Sequence, residues 1–481
     1  MNSREKTPKP IHIIIYILMF IFILILVYPV LESGKTSTSS TVTNSSITYY
    51  VAMNGNDNNP GTESQPWRTI TKAASTAVAG DTVYVKKGVY NEQVWVLNSG
   101  NAAKWITFSA YPGDNVTIDG TGISMVVNAN GGKWHGLFNI QGKNYINVTG
   151  FRFTNSDYAG FFVSKDYITG VPSSNIIFKN NYIEKTWAAA IIMLGEASTP
   201  ATNFIVDGNT LVQAHYSNDP WAEEGITLGH NLDNFEIKNN IIRDSKMGTI
   251  TAKAGISNGK IFRNTCTTST YSCVYIDGWF EGASNIDVFE NVVHDMISEN
   301  EHDSVSAFNV ASEQGGPVEN IRFYQNIAYN NSGSAMVISW YSKGPVNNIT
   351  ILGNTFYNNG YGGQSRGGID LEYDKATGTV VRNNIVSQNK EFQIMSKDAD
   401  AIIDHNLIDG YKGYYPEETR GIVYIEGNPQ FVNSANADFH VKSTSPSIDK
   451  GSPDGEYNVD FDGNFRPVGA GYDIGAFEYI S

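Results

Sequence analysis

The sequence predicts an all-β fold, a parallel β-helix, on three observations: a recurring phrase, its spacing, and the period of the apolar residues inside it. The phrase NIDVFEN at 285–291 returns as NIIFKNN (175–181), NFEIKNN (234–240), NIRFYQN (320–326) and NITILGN (348–354). Looser copies are NFIVDGN (203–209), GKIFRN (259–264), TVVRNN (379–384) and AIIDHN (401–406). The closing residues Asn181, Asn209, Asn240, Asn264, Asn291, Asn326, Asn354, Asn384 and Asn406 lie 28, 31, 24, 27, 35, 28, 30 and 22 residues apart. A unit recurring every ~20–35 residues, with the slack taken up in loops, marks a solenoid. Inside the unit apolar residues alternate, as at Ile286 and Val288, so the element is a strand.

A second short strand follows each asparagine, as in NIIRDS, NVVHDM, NIAYNN and NTFYNN. A third comes later: GITLG (225–229), TITAKA (249–254), VYIDGW (274–279), AFNVAS (307–312), GIDLEYD (368–374) and FQIMSK (392–397). Three short strands per turn, repeated over about ten coils, describe the parallel β-helix of residues 92–426. The asparagine falls at the bend between the first two strands. There it tolerates a left-handed backbone and stacks on its neighbours as a hydrogen-bonded ladder.

The 481 residues, 41% hydrophobic, suffice for one large core with caps. Residues 1–10 carry Arg4, Lys6 and Lys9, and 11–31 form an apolar run. About 20 apolar residues span a bilayer, and the flanking cations place residues 1–10 in the cytoplasm. The following YPVLESGK lacks a small-residue cleavage site, which favours a retained signal-anchor and a cell-surface body; cleavage would give a secreted one. Residues 32–47 are a Ser/Thr-rich tether. Asn44, Asn115, Asn147, Asn330 and Asn348 stand in glycosylation sequons. Cys266 and Cys273 admit either a bridge across a turn or two buried thiols. The net charge of −15 and the lack of a basic patch argue against nucleic acid, and the body is expected to be monomeric.

Residues 48–91 open with a strand, TYYVAM, followed by a helical stretch with Ile70, Ala73, Ala74, Ala77 and Val78 on one face. A solenoid's first coil exposes unpaired backbone, so this helix is expected to cover it. The segment GTESQPWRTITKAASTAVAGDTVYVKKGVYNE (61–92), with the coils behind it, resembles extracellular right-handed parallel β-helix proteins of the pectate-lyase-like superfamily. The resemblance covers roughly 48–425 and implies a carbohydrate-directed surface protein; the superfamily holds lyases, hydrolases, epimerases and non-catalytic members. Residues 427–481 resemble a C-terminal module found behind such helices, expected as a small β-rich cap. Its Asp449, Asp460, Asp462, Asp473 and Glu478 around Arg466 read as a structural network, and DFDGN is only a partial calcium loop.

In that superfamily substrates lie along the sheet of the third strands. Inward residues there are apolar (Ile226, Leu228, Ile250, Ala252, Val274, Ile276), so the alternate residues face solvent: Thr227, Thr249, Thr251, Lys253, Tyr275, Asp277, Asn309, Asp370, Glu372 and Asp374. Preceding turns add Asp219, Glu223 and Glu224, then Lys246, then Glu299, Glu301, His302 and Asp303. Elimination on an acidic, uronate-containing polysaccharide needs a cation to neutralise the carboxylate and a neutral base for the C5 proton. The resemblance implies a Lys or Arg base beside carboxylate-bound calcium. Lys253 is the expected base, Lys246 the second candidate and His302 the third. Asp277, Glu223 and Glu224 are the expected calcium ligands. Tyr275, Thr251, Trp221 and Trp279 are expected to touch sugar. An ion pair of Asp277 with Lys253 would leave a poor base, and no tight aspartate cluster is visible.

Two other readings remain open. A hydrolase needs two carboxyls at a set separation, for which Asp370 with Glu372, or Asp277 with Glu281, qualify. A non-catalytic glycan-binding surface protein suits the anchor, the sequons and the acidic charge.

Overall fold

A computed structural model describes residues 45–125, 134–196, 198–217, 223–298, 305–362, 366–454 and 457–480. The apolar run 11–31, nearly all of the tether, Asp219, Trp221, Glu299, Glu301, His302 and Asp303 lie outside them. Among the described residues no helix is long and apolar enough to cross a membrane.

Residues 46–481 form one unit built on three long sheets. The first has 13 strands, from Thr48–Val51 to Ile402–Asp404; the second has 13, from Gly88–Tyr90 to Ile425–Glu426. The third has 11, from Val94–Val96 to Ile394–Ser396. Each strand pairs in parallel with its counterpart one coil away, as Ile286 with Ile321 and Val288 with Phe323. The sheets therefore run a little longer than the repeat predicts. The early coils lack the phrase, and the third-sheet strand Ser334–Ile338 falls outside the motif series. The inward residues of all three sheets meet in one continuous buried core.

The nine asparagines form the expected ladder. Each is buried, and the backbone N–H and Nδ2 of the first eight both donate to the Oδ1 of the next, for example Asn264 to Asn291 at 3.0 Å for both bonds. The left-handed backbone sits elsewhere than expected. It falls on the residue before each ladder position: Asn180, Gly208, Asn239, Arg263, Glu290, Gln325, Gly353, Asn383 and His405. The turn thus reverses one residue early and leaves the asparagine free to point inward. The opening asparagine of the phrase builds a second ladder at the surface, through Asn258, Asn285, Asn320 and Asn348.

The helix spans Ile70–Thr76, with Thr69 accepting from Lys72 N as its N-cap. Ile70, Ala73, Ala74 and Ala77 are buried as expected, but Val78 lies past the helix end and is exposed. Cys266 and Cys273 are disulfide-bonded inside the core.

The C-terminal module lies alongside the last coils rather than over their end. Its Phe439, Ala476 and Phe477 pack on Ile327, with Tyr329 and Tyr357 beside them, on the outer face of the second sheet. Val441 and Ile474 do the same on Ile385 and Leu407. Beyond one antiparallel pair, Phe431–Asn433 with Asp438–Val441, isolated backbone bonds and side-chain bonds hold it. Arg466, with its side chain 0% exposed, pairs with Glu478 at 2.7 Å and donates to the carbonyls of Asp473, Gly475 and Phe477. Asp460 accepts from the N–H groups of Asp462, Asn464 and Glu478, so the DFDGN carboxylate is already saturated by protein donors.

Candidate active site

The third sheet presents its outer residues in one register: Thr227, Thr251, Tyr275, Asn309, Val337 and Asp370 stand side by side. One step along, Gly229, Lys253, Asp277 and Ala311 align. Neighbouring strands are ~4.8 Å apart, so the six positions form a row about 24 Å long.

It is sunk rather than open to solvent. Thr227, Thr251, Asp277, Asn309 and Asp370 are all buried, because long side chains and stacked turns from adjacent coils close over them. Thr249 leaves the outer set altogether: its Oγ1 donates to Cys273 O at 2.7 Å and sits beside Cys266 Sγ.

Lys253 and Asp277 are register partners, yet their charges do not pair. Lys253 Nζ instead holds Glu223 and Glu224, each at 3.1 Å. Burial works against its charge, but the carboxylates of Glu224 and then Glu223 outweigh it and raise the Lys253 pKa. A base must be neutral, so this lysine is held in the wrong form. The same ammonium occupies the space between the two glutamates expected to bind calcium. Burial pushes Glu223 up; at Glu224 burial is outweighed by the lysine and the carboxyl is held low.

Asp277, the third expected ligand, turns away from this cluster. Its Oδ1 accepts from Trp279 N and Glu313 N, both at 3.0 Å, pinning two consecutive turns. Burial pushes its pKa up to about 6, the two N–H groups pulling the other way. Trp279 is half-buried with a left-handed φ of 43°, a conformation that costs energy for a large side chain. Among the described residues no three His, Cys, Asp or Glu side chains converge as a metal shell. The expected calcium set is therefore not assembled, for two physical reasons: a lysine fills its centre and its aspartate caps backbone.

Tyr275 is half-buried and donates its hydroxyl in a short bond to Glu313 Oε1. Burial, then Tyr341, Asp277 and Glu313, push its pKa far up, so it is a phenol. Behind it, Asn309 donates to Tyr341 Oη at 3.1 Å and accepts from Ser339 at 2.6 Å. Thr251, in register with Tyr275, has no hydrogen-bond partner for its Oγ1. Lys246 sits half-buried in the turn before Ile250–Lys253.

Farther along, Asp370 and Glu372 share the outer face. Burial, then Glu372, drives the Asp370 carboxyl well up, and burial also raises Glu372. Asp370 Oδ1 is buried without a hydrogen-bond partner. Glu281 is exposed, so Asp277 with Glu281 makes no comparable pair.

Sequence reasoning missed Glu313 and Tyr341. Glu313 lies 38 residues from Tyr275 in a turn with no repeat signature. Placing SEQGG directly after the outward Asn309 strand was the one available signal.

Residues 49–268 match the family model of the Pel9A-like right-handed β-helix region, a span that includes Glu223, Glu224 and Lys253 and ends before Tyr275. The chain is 26% identical to the protein YwoF of Bacillus subtilis (strain 168) over 453 residues, covering 83% of this chain and 91% of that one. It is 36% identical over 73 residues to pectate lyase PEL9 of Emericella nidulans, covering 15% and 18%. The solved structure of pectate lyase Pel9A superposes with a TM-score of 0.49 at 15% identity, covering 90% of this chain and 97% of that one. With residues 49–268 matching that region and three parallel sheets running through the body, the chain is a right-handed parallel β-helix whose first part is similar to the Pel9A-like region.

Proposed function

We propose that the outer face of the third sheet is the active site of a polysaccharide lyase acting on a uronate-containing polymer. The observation that carries this reading is the Tyr275–Glu313 hydrogen bond, set beside a lysine held in its charged form. Elimination needs three groups, and this patch supplies all three with roles different from those the sequence suggests. Lys253 neutralises the uronate carboxylate; Glu223, its partner with the upward-shifted carboxyl, is the one the substrate displaces. The Glu313 carboxylate takes the C5 proton, the C4–C5 double bond forms, and the C4–O bond breaks. Tyr275 gives its phenolic proton to the departing oxygen. The proton on Glu313 then passes to the Tyr275 oxygen along their hydrogen bond, which restores both groups. Asp277 is a positioning residue, holding Glu313 through its backbone N–H. No step runs through a metal.

A second reading is hydrolysis by Asp370 and Glu372, favoured by two carboxyls side by side that burial pushes up, one of the two conditions for an acid–base pair. One assay separates the readings. Residues 48–481 are incubated with pectate, alginate and glycosaminoglycans while ultraviolet absorbance of unsaturated uronate and reducing ends are followed. Both signals rise for a lyase, and the rise is lost in Tyr275→Phe and Lys253→Ala. Reducing ends alone, lost in Asp370→Asn, shift the assignment to hydrolysis. Silence in both overturns the enzymatic proposal in favour of glycan binding.

A further inference from the structure

Two large aromatic side chains stand unusually free beside this patch. Phe280 is 65% exposed and Trp340 is 67% exposed. Single exposed aromatics need no explanation, but these two share a construction. Each follows a third-sheet strand, and each is met edge-on by a neighbouring ring. Trp279 meets Phe280 at 5.7 Å and 76°, and Tyr341 meets Trp340 at 5.9 Å and 78°. A braced ring keeps its place while its face stays in water, at low entropic cost on binding.

Their turns bracket the proposed catalytic pair. The strands Ser272–Asp277, Ser306–Ala311 and Ser334–Ile338 are successive rungs, so the turn carrying Glu313 lies between the turns carrying Phe280 and Trp340. The turns touch through backbone: a Cβ on Gly316 would meet Gly278 O at 2.4 Å, and one on Gly344 would meet Gly315 O at 2.2 Å. Glycine therefore fixes the stack and keeps the stretch between the two aromatics free of bulk. The outer turns are two rungs apart, about 10 Å along the axis. That is close to the length of two sugar residues.

From this placement we infer that Phe280 and Trp340 are sugar-stacking subsites on opposite sides of the scissile bond. The substrate is then a linear polysaccharide lying parallel to the helix axis and occupied on both sides of the cut, so cleavage is internal. The inference rests on the lyase site proposed above and adds its substrate geometry. Tyr341 links subsite to chemistry, since it braces Trp340 and accepts from the Asn309 amide behind Tyr275.

The test uses the Tyr275→Phe chain, so that binding is read without turnover, in native gels cast with each polymer. Phe280→Ala and Trp340→Ala should each weaken retention about tenfold, and together by more than either alone. In the otherwise unaltered chain both substitutions should raise KM for long polymers while leaving kcat within about twofold. Retention unchanged in both aromatic variants overturns this inference and leaves the lyase site standing. No retention of any polymer by the parent chain overturns both. Products released only as terminal units overturn the internal-cleavage geometry.

Discussion

The outer faces of the first and third sheets are built from the same coils, yet they treat charge in opposite ways. On the first sheet cations and anions meet in register. Arg322 grips Asp287 through two bonds of 2.6 and 2.8 Å, and Arg382 grips Asp404 at 2.6 and 2.7 Å. In the column beside Asp287 and Arg322, Phe262, Phe289 and Tyr324 stack at 4.7 and 4.8 Å, the spacing of the rungs themselves. This face closes its charges into pairs, and with Asp454 and Tyr457 of the C-terminal module it lines a cleft. On the third sheet Glu223, Glu224, Asp277, Glu313, Asp370 and Glu372 are strung along one sunken face, and four of the six carboxyls are pushed up. A scaffold that neutralises its charges so readily on one face does not leave them unbalanced on another by default. Concentrated titration shifts of this kind point to chemistry.

The comparison breaks most visibly if the third face proves inert. Tyr275→Phe or Glu313→Gln should lower kcat about 10²–10⁴-fold, the range of a lost acid or base, with the thermal midpoint within a degree or two of the parent. Arg322→Ala on the first face should leave kcat unchanged. Equal losses on both faces would erase the distinction.

Asp277 sharpens it. Asp277→Ala removes the acceptor for two turns and should cut activity severely, whereas Asp277→Asn keeps an oxygen for the same N–H groups and should retain most of it. Folding raises this carboxyl to about 6, so the folded state holds a proton that the unfolded chain has already released. Stability from this group is therefore greatest in acid and declines as pH rises from near 4 to near 6. Denaturant midpoints measured across that window should show the decline, and Asp277→Asn should flatten it.

The two asparagine ladders allow the same contrast in stability. Asn291→Ala strips a buried rung and strands donors and acceptors on both sides, costing about 1–3 kcal/mol. Asn285→Ala in the exposed ladder should cost no more than about 0.5 kcal/mol, since water replaces the bond. The first-face pair is similarly modest: Asp287→Asn should move stability by about 1 kcal/mol or less, less still in high salt.

The frame was legible because its signals are local. Ile286 and Val288 declare a strand from within one phrase, and the interval from Asn264 to Asn291 is the interval their hydrogen bond closes. The patch was legible residue by residue, since Lys253, Tyr275 and Asp277 do share one face. Its pairings were not. Lys253 chose Glu224, 29 residues back, over its register partner, because Asp277 found two nearer N–H donors. Glu313 reached Tyr275 across a coil of different length. Periodicity fixes which face a residue takes; the reach of a long side chain then decides whom it meets.

The buried ladder has a consequence for ancestry. Every rung joins an asparagine to an asparagine in the same sense, amide to oxygen, from Asn181 through Asn406. A whole coil excised or duplicated would present the same fitting at both cut ends. Body length can thus drift between generations without redesigning the join, while the patch on the third sheet stays where its own coils put it.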